Sequence, residues 1–269
     1  MAKIRGVWLR VSLILSLLLP VWFLVAALGA KFHILDWRIA FGVMVVGLGA
    51  LLLLIAFVLA VVGLILALAV KPRTGWRGAL VAMIIPGLGL AYAGVIAAGA
   101  SAVPPVHDIS TDIQDPPAFG ADVLAARAAL PGGNAVESMT APISTLASYT
   151  RMRNPAIAGQ SVGALGRRAN PDLMSLPLTM PVNRATQAAA GVARELGWQV
   201  VRVDPEAGRV EATVESFWFG FKDDIVVRVR PAGAGSTLDI RSTSRVGVSD
   251  LGANAKRVRA FLTAMRAAH

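Results

Sequence analysis

Cysteine is absent from the 269-residue chain, which excludes disulfides, thiolate catalysis and Cys-ligated metals without fixing the compartment, since many exported domains need no disulfide. Charge is scarce too. Asp, Glu, Lys and Arg make up 16%, against about 25% in an ordinary soluble domain, beside 55% apolar residues and a mean hydropathy of +0.63. That balance argues against a wholly soluble chain and against intrinsic disorder. Histidine occurs three times; His33 sits in a loop between apolar runs and His269 is terminal, leaving His107 as the one candidate general base. No G-x-S-x-G elbow is present, and Pro86-Gly87-Leu88-Gly89-Leu90 lacks the lysine of a P-loop.

Three stretches carry no ionisable Asp, Glu, Lys or Arg: Val11 to Ala30, Ile39 to Val70 and Gly78 to Val106. About 20 apolar residues of helix cross a bilayer core, so residues 1–106 are expected to form three transmembrane helices, at about 11–30, 40–68 and 79–102. The middle run is long enough to require tilt, kink or protrusion. The first run could instead be a signal peptide, but its 20-residue core exceeds the usual ~7–15. Lys3, Arg5, Arg10, Lys71, Arg73 and Arg77 flank one side of these runs, whereas the other side has only Lys31 and Arg38. The positive-inside rule then puts the N-terminus in the cytoplasm and the C-terminal part outside. Residues 101–126 agree, with Asp108, Asp112, Asp115 and Asp122 and no Lys or Arg.

The net charge of +10 divides unevenly. Residues 1–100 hold eight Lys and Arg against one acid, and residues 101–269 eighteen against fifteen. Most of the basicity is therefore an orientation signal, and no nucleic-acid partner is expected.

Residues 107–170 are rich in Pro, Gly and Ala and read as linker and extended wrapping, with one short helical pattern near Ala121 to Leu130. Residues 171–269 read as an α+β extracytoplasmic domain. Ala185, Ala189, Val192 and Ala193 share a helical face, and Gly197 stops it. Trp198 to Val203 and Arg209 to Glu215 form one hairpin; Ile225, Val227 and Val229, then Leu238 and Ile240 after the Pro231 to Gly235 turn, form a second. Leu251, Ala255, Val258, Leu262 and Met265 mark a final helix capped by Ser249 or Asp250. The expected architecture is α-β-β-β-β-α, an antiparallel four-stranded sheet with helices on one face.

The densest polar run is FWFGFKDDIVVRVRP followed by RSTSRVGVSDLGANAKRVRAF. It closely resembles the C-terminal signature of domain of unknown function 1499, over roughly Pro171 to Leu262, with weaker similarity in VPPVHDISTD and DPPAF. Some members share N-terminal membrane helices, and others have a Cys-containing segment that this chain lacks. With the apolar runs, the resemblance implies a multi-pass bacterial inner-membrane protein with a periplasmic domain; it brings no reaction, substrate or catalytic residue.

The residues themselves suggest a ligand site composed of Asp223, Asp224, Arg228, Arg230, Arg241, Ser242, Ser244, Arg245, Asp250 and Asn254. Neighbouring strands would let the arginines cradle a phosphate, carboxylate or lipid headgroup; the competing reading is a polar sheet face offset by Glu211, Glu215 and Asp239. Asp223 and Asp224 either bind a cation or serve as a turn paired with Arg241 or Arg245. Phe217, Trp218, Phe219 and Phe221 either plug the end of the sheet or meet the bilayer interface. No cofactor, metal or catalytic residue is assigned. The leading expectation is a membrane-anchored module whose partners are the lipid bilayer and an anionic ligand or membrane protein. A hydrolase using His107 or Asp223/Asp224, and a scaffold in a membrane complex, are the alternatives.

Overall fold

The computed structural model describes residues 2–149 and 154–268; His269 lies outside them. The chain forms two compact units, Met1–Gly99 with Ser216–Gly220, and Ala100–Glu215 with Phe221–His269.

In the first unit, three helical segments are long and apolar enough to cross a membrane: Lys3–Lys31, Arg38–Ala69 and Trp76–Ala102. They correspond to α1 (Ala2–Lys31), a π-helical stretch (Arg38–Gly49) continuing into α2 (Ala50–Ala69), and α3 (Trp76–Ala102). Pro20 and Pro86 lie inside α1 and α3 without ending them. Small residues set the packing: Ala56 and Ala60 are fully buried, and a Cβ on Gly89 would stand 2.5 Å from Leu53. Arg5 reaches from α1 to the carbonyls of Val70 and Pro72, where α2 has run out of intrahelical donors. Phe217 and Phe219 belong to this unit: Phe219 meets Phe41 edge-on at 5.1 Å, and the Lys31 ammonium lies 3.9 Å from the Phe217 ring centre.

The second unit is built on a six-stranded antiparallel sheet, in place of the expected four strands. The four expected strands are β3 (Gln199–Asp204), β4 (Arg209–Glu215), β5 (Lys222–Ala232) and β6 (Gly235–Ser244); β1 (Asp108–Ser110) and β2 (Leu176–Leu178) both pair with the outer edge of β6. The order is β1-β6-β5-β4-β3, with β2 beside β6. Three residues are too few to show a period of two, and β2 contains Pro177, which is tolerated because the strand lies at an edge.

One sheet face carries Val210, Ala212, Ile225, Val227, Val229, Leu238 and Ile240 against α6 (Val182–Glu195) and α7 (Ala253–Ala267). Ala185, Ala189 and Ala193 are fully buried, so α6 turns mostly small side chains, with Val182 and Val192, toward the core and can approach the sheet closely. Trp198 stacks on Phe261 at 5.2 Å. The helices are not confined to this face. On the other side Val123 of α4 (Ala121–Ala128) packs with Phe119 on Val226, so the 107–170 segment covers a face that alternation alone leaves open. The same segment contributes two short 3-10 turns, Ile143–Thr145 and Ala147–Tyr149, and α5 (Val162–Ala169); Ile109, Ile143, Tyr149 and Leu165 enter the main core.

The final helix begins later than its apolar spacing suggests. Leu251 stands outside α7 at φ 55°, and is 52% exposed. The Asp250 carboxylate takes the amides of Gly252 and Asn254, each at 2.8 Å, and this local bonding wins over the extra turn.

Candidate functional site

The register of β4, β5 and β6 places Asp224 opposite Thr213 and Thr243, and Arg228 opposite Asp239. Period two then puts Glu211, Thr213, Asp224, Arg228, Arg230, Asp239 and Arg241 on the face away from α6 and α7. This face is not open to water. Glu211, Asp224, Asp239 and Arg241 are buried beneath the 107–140 segment, and buried charge must be paired.

Glu211 pairs with Arg209 at 3.0 Å, and the other pairs form three separate centres. In the first, Arg228 and Arg230 converge: each bonds to Asp112, Asp115 and Asp239, at 2.8–3.3 Å. In the second, Arg241 grips Asp108 through Nε at 3.0 Å and Nη2 at 2.7 Å, and also donates to the Glu137 carbonyl. In the third, fully buried Asp224 accepts two bonds from Arg245, at 2.9 and 2.7 Å, one from Arg127 at 2.9 Å and one from Thr213 at 3.1 Å. Five guanidinium groups thus face five carboxylates, Asp108, Asp112, Asp115, Asp224 and Asp239. The first centre sets two arginines against three aspartates, the second is one to one, and the third sets two arginines against one aspartate, so the charges balance only over the three together.

The other singled-out residues meet on the α7 side. Ser242 donates to the Asn254 Oδ1 at 2.6 Å; Asn254 Nδ2 donates to Ser244 Oγ and to the His107 carbonyl, each at 2.9 Å. Arg257 joins Asp223 at 2.7 Å and Ser242 at 3.0 Å. Asn254 is fully buried and acts as a junction between β6, α7 and the segment entering β1. His107 is buried with its Nδ1 3.0 Å from the Tyr149 hydroxyl. Burial pushes the His107 pKa down, against the raising effect of Asp108, and pushes that of Tyr149 up. Burial also raises Asp250, though the Asn254 and Gly252 amides oppose it. At Asp112 burial pulls upward, but the amides of Asp115 and Gln114 together with Arg230 bring the carboxyl below its usual value.

A groove of about 360 Å³ runs beside the start of α7, where Val103, Pro104, Ile109, Leu251 and Ala255 supply apolar wall and Asn170, Asp250 and Arg259 the polar groups. Arg259 is held by Asp172 at 2.6 and 2.9 Å, with both side chains about half exposed. That pair lowers the Asp172 pKa and raises that of Arg259. Of the groove's polar groups only Asp250 is among the residues singled out from the sequence. Arg127, Arg257, Arg259, Asp108, Asp112 and Asp115 were not, although the sign bias of residues 101–126 was a visible trace of a segment complementary to arginines.

A family model described as "Protein of unknown function (DUF1499)" matches residues 108–265. No curated protein matches the chain.

Proposed function

Because the chain belongs to the DUF1499 family, whose description assigns no activity, we propose from its own geometry that it is a membrane-anchored, extracytoplasmic binding module for an anionic amphipathic molecule such as a lipid headgroup. The orientation rests on six Lys and Arg flanking the cytoplasmic side against two outside. The guest is assigned to the groove beside Asp250 and Arg259.

The observation that carries this reading is the contrast between the arginines. Displacing a buried partner such as Asp108 or Asp224 exposes an uncompensated buried charge, at a cost of about 3–5 kcal/mol. The Arg259–Asp172 pair is half exposed, and such surface pairs contribute only about 0–1 kcal/mol. A phosphate or carboxylate can therefore take Arg259 from Asp172, and from the Asn170 Oδ1 to which it also donates at 3.1 Å, at little cost. Val103, Pro104, Leu251 and Ala255 would cover the apolar part of the guest.

The test is native mass spectrometry of the full chain released from detergent after incubation with phosphatidylglycerol or phosphatidylcholine. Preferential retention of phosphatidylglycerol by the wild type, lost in Arg259→Gln, supports the assignment. Equal retention by both proteins, or none by the wild type, rejects it.

A further inference from the structure

We propose that the β4–β5 loop, with Phe217 and Trp218 at its tip, is a second membrane contact that enters the interfacial layer of the lipid bilayer. Phe217 is 65% exposed and Trp218 48% exposed, and their rings meet edge-on at 4.9 Å. The rings form a preset projection. The Gly220 amide donates to the Ser216 carbonyl at 3.2 Å, closing the loop, and Gly220 has the positive φ of 65° that favours glycine. At its base Lys222 and Glu215 pair at 3.6 Å, and at its tip the Lys31 ammonium lies over the Phe217 ring, a pairing of cation and aromatic ring that suits the headgroup layer. Trp and Phe on such a projection match the apolar-to-polar gradient of the interface.

The bilayer is favoured over other occupants by where the loop lies in the sheet. Asp108, the first residue of β1, is in register with Thr243, which is in register with Asp224, and β5 begins two residues earlier at Lys222. The chain therefore enters the sheet at the same end from which the loop projects, about 10 Å away across two strand spacings. Between the end of α3 at Ala102 and Asp108 there are five residues, 103–107, which reach at most about 20 Å. With α3 in the membrane, that short tether keeps Asp108 within about 20 Å of the end of α3. Ser216–Gly220 belongs to the same unit as the three membrane-length helices, with Phe219 against Phe41 and Phe217 beside Lys31, and Phe217 and Trp218 stay exposed as do outer apolar positions of those helices such as Ile14, Val25 and Ile65.

This contact is independent of the groove and its ligand. The cysteine-free chain allows single nitroxide labels at Trp218→Cys and at Ala234→Cys in the full-length protein, reconstituted in phosphatidylcholine vesicles. Ala234 lies in the exposed β5–β6 turn, at the far end of the 11-residue β5, roughly 35 Å away. The label at 218 is expected to be more accessible to oxygen than to a water-soluble nickel chelate, and the label at 234 the reverse. Adding Phe217→Glu should move the 218 label toward the nickel-accessible regime and leave the 234 label unchanged. A 218 label exposed to nickel as fully as the 234 label overturns the proposal. So does a 218 label shielded from both reagents, which would mean that residue 218 itself is buried against protein, beyond the contacts of Phe217 and Phe219.

Discussion

Replacing Asp224 with asparagine keeps the side chain's size and removes its charge. Asp224 is fully buried and accepts from Arg127, Arg245 and Thr213; the Arg127 side chain is 3% exposed and that of Arg245 16%. The substitution leaves two guanidinium groups without their shared counter-charge. Removing one partner of a buried ion pair costs about 3–5 kcal/mol. Arg127 keeps its bonds to the carbonyls of Thr243, Asn134 and Ser244, so the lower end of that range is expected. For a domain of 150–250 residues, about 3 kcal/mol lowers Tm by roughly 6–12 °C. Tryptophan emission on heating reports it in the detergent-solubilised full chain, because Trp198 lies in the core beside Phe261. A second substitution, Arg245→Leu, should cost much less in the Asp224→Asn background than in the wild type, because its partner is already lost. A Tm within about 3 °C of wild type for Asp224→Asn, or additive losses in the double variant, would refute the claim that Asp224 compensates buried charge.

Two further outcomes can be measured in the same preparation. Gly208 and Gly233 both have positive φ, 66° and 57°, but a Cβ on Gly208 would stand 2.1 Å from the Val229 carbonyl oxygen, whereas one on Gly233 meets nothing within 4 Å; Gly208→Ala should therefore lower Tm by several degrees more than Gly233→Ala, and equal losses would contradict the close approach of the β3–β4 turn to β5. Burial depresses the His107 pKa in the native state, so as pH falls through the ordinary histidine value of about 6.5 the unfolded chain takes up a proton that the native chain does not. Stability should fall with pH below that point, and His107→Gln should flatten the slope between about pH 7 and pH 5 in denaturant titrations, an unchanged slope contradicting a buried neutral imidazole.

The parts of the fold that were legible in the sequence are those with enough residues to show a period. Ile225, Val227 and Val229 alternate with Asp224, Arg228 and Arg230 over most of an 11-residue strand, and α6 repeats small apolar residues at helical spacing. Strands β1 and β2 have three residues each and exist because β6 offers a free edge, which is a tertiary fact. Alternation showed that Arg228, Arg230 and Arg241 leave the core side, but not what covers them: Asp108 is 133 positions from Arg241 and Arg127 is 97 from Asp224. Leu251 fits the apolar repeat of α7, yet it is excluded from the helix because Asp250 captures the amides of Gly252 and Asn254. Phe217 and Trp218 read from the sequence as a plug for the open end of the sheet before an interface contact, but both are exposed, because the closed turn lifts them from the sheet.

The ion pairs across the covered sheet face also dictate an order of assembly. Residues 108–128 leave the ribosome before the strands that neutralise them, since Asp108 waits for Arg241 and Arg127 for Asp224. Until β5 and β6 are made, residues 101–126 carry four aspartates and no cation; they repel one another and stay hydrated, which disfavours premature collapse. The β5–β6 hairpin, local in sequence, can form first and offer its arginines as a docking strip, while closure of the early segment comes last and slowly, as long-range contacts do.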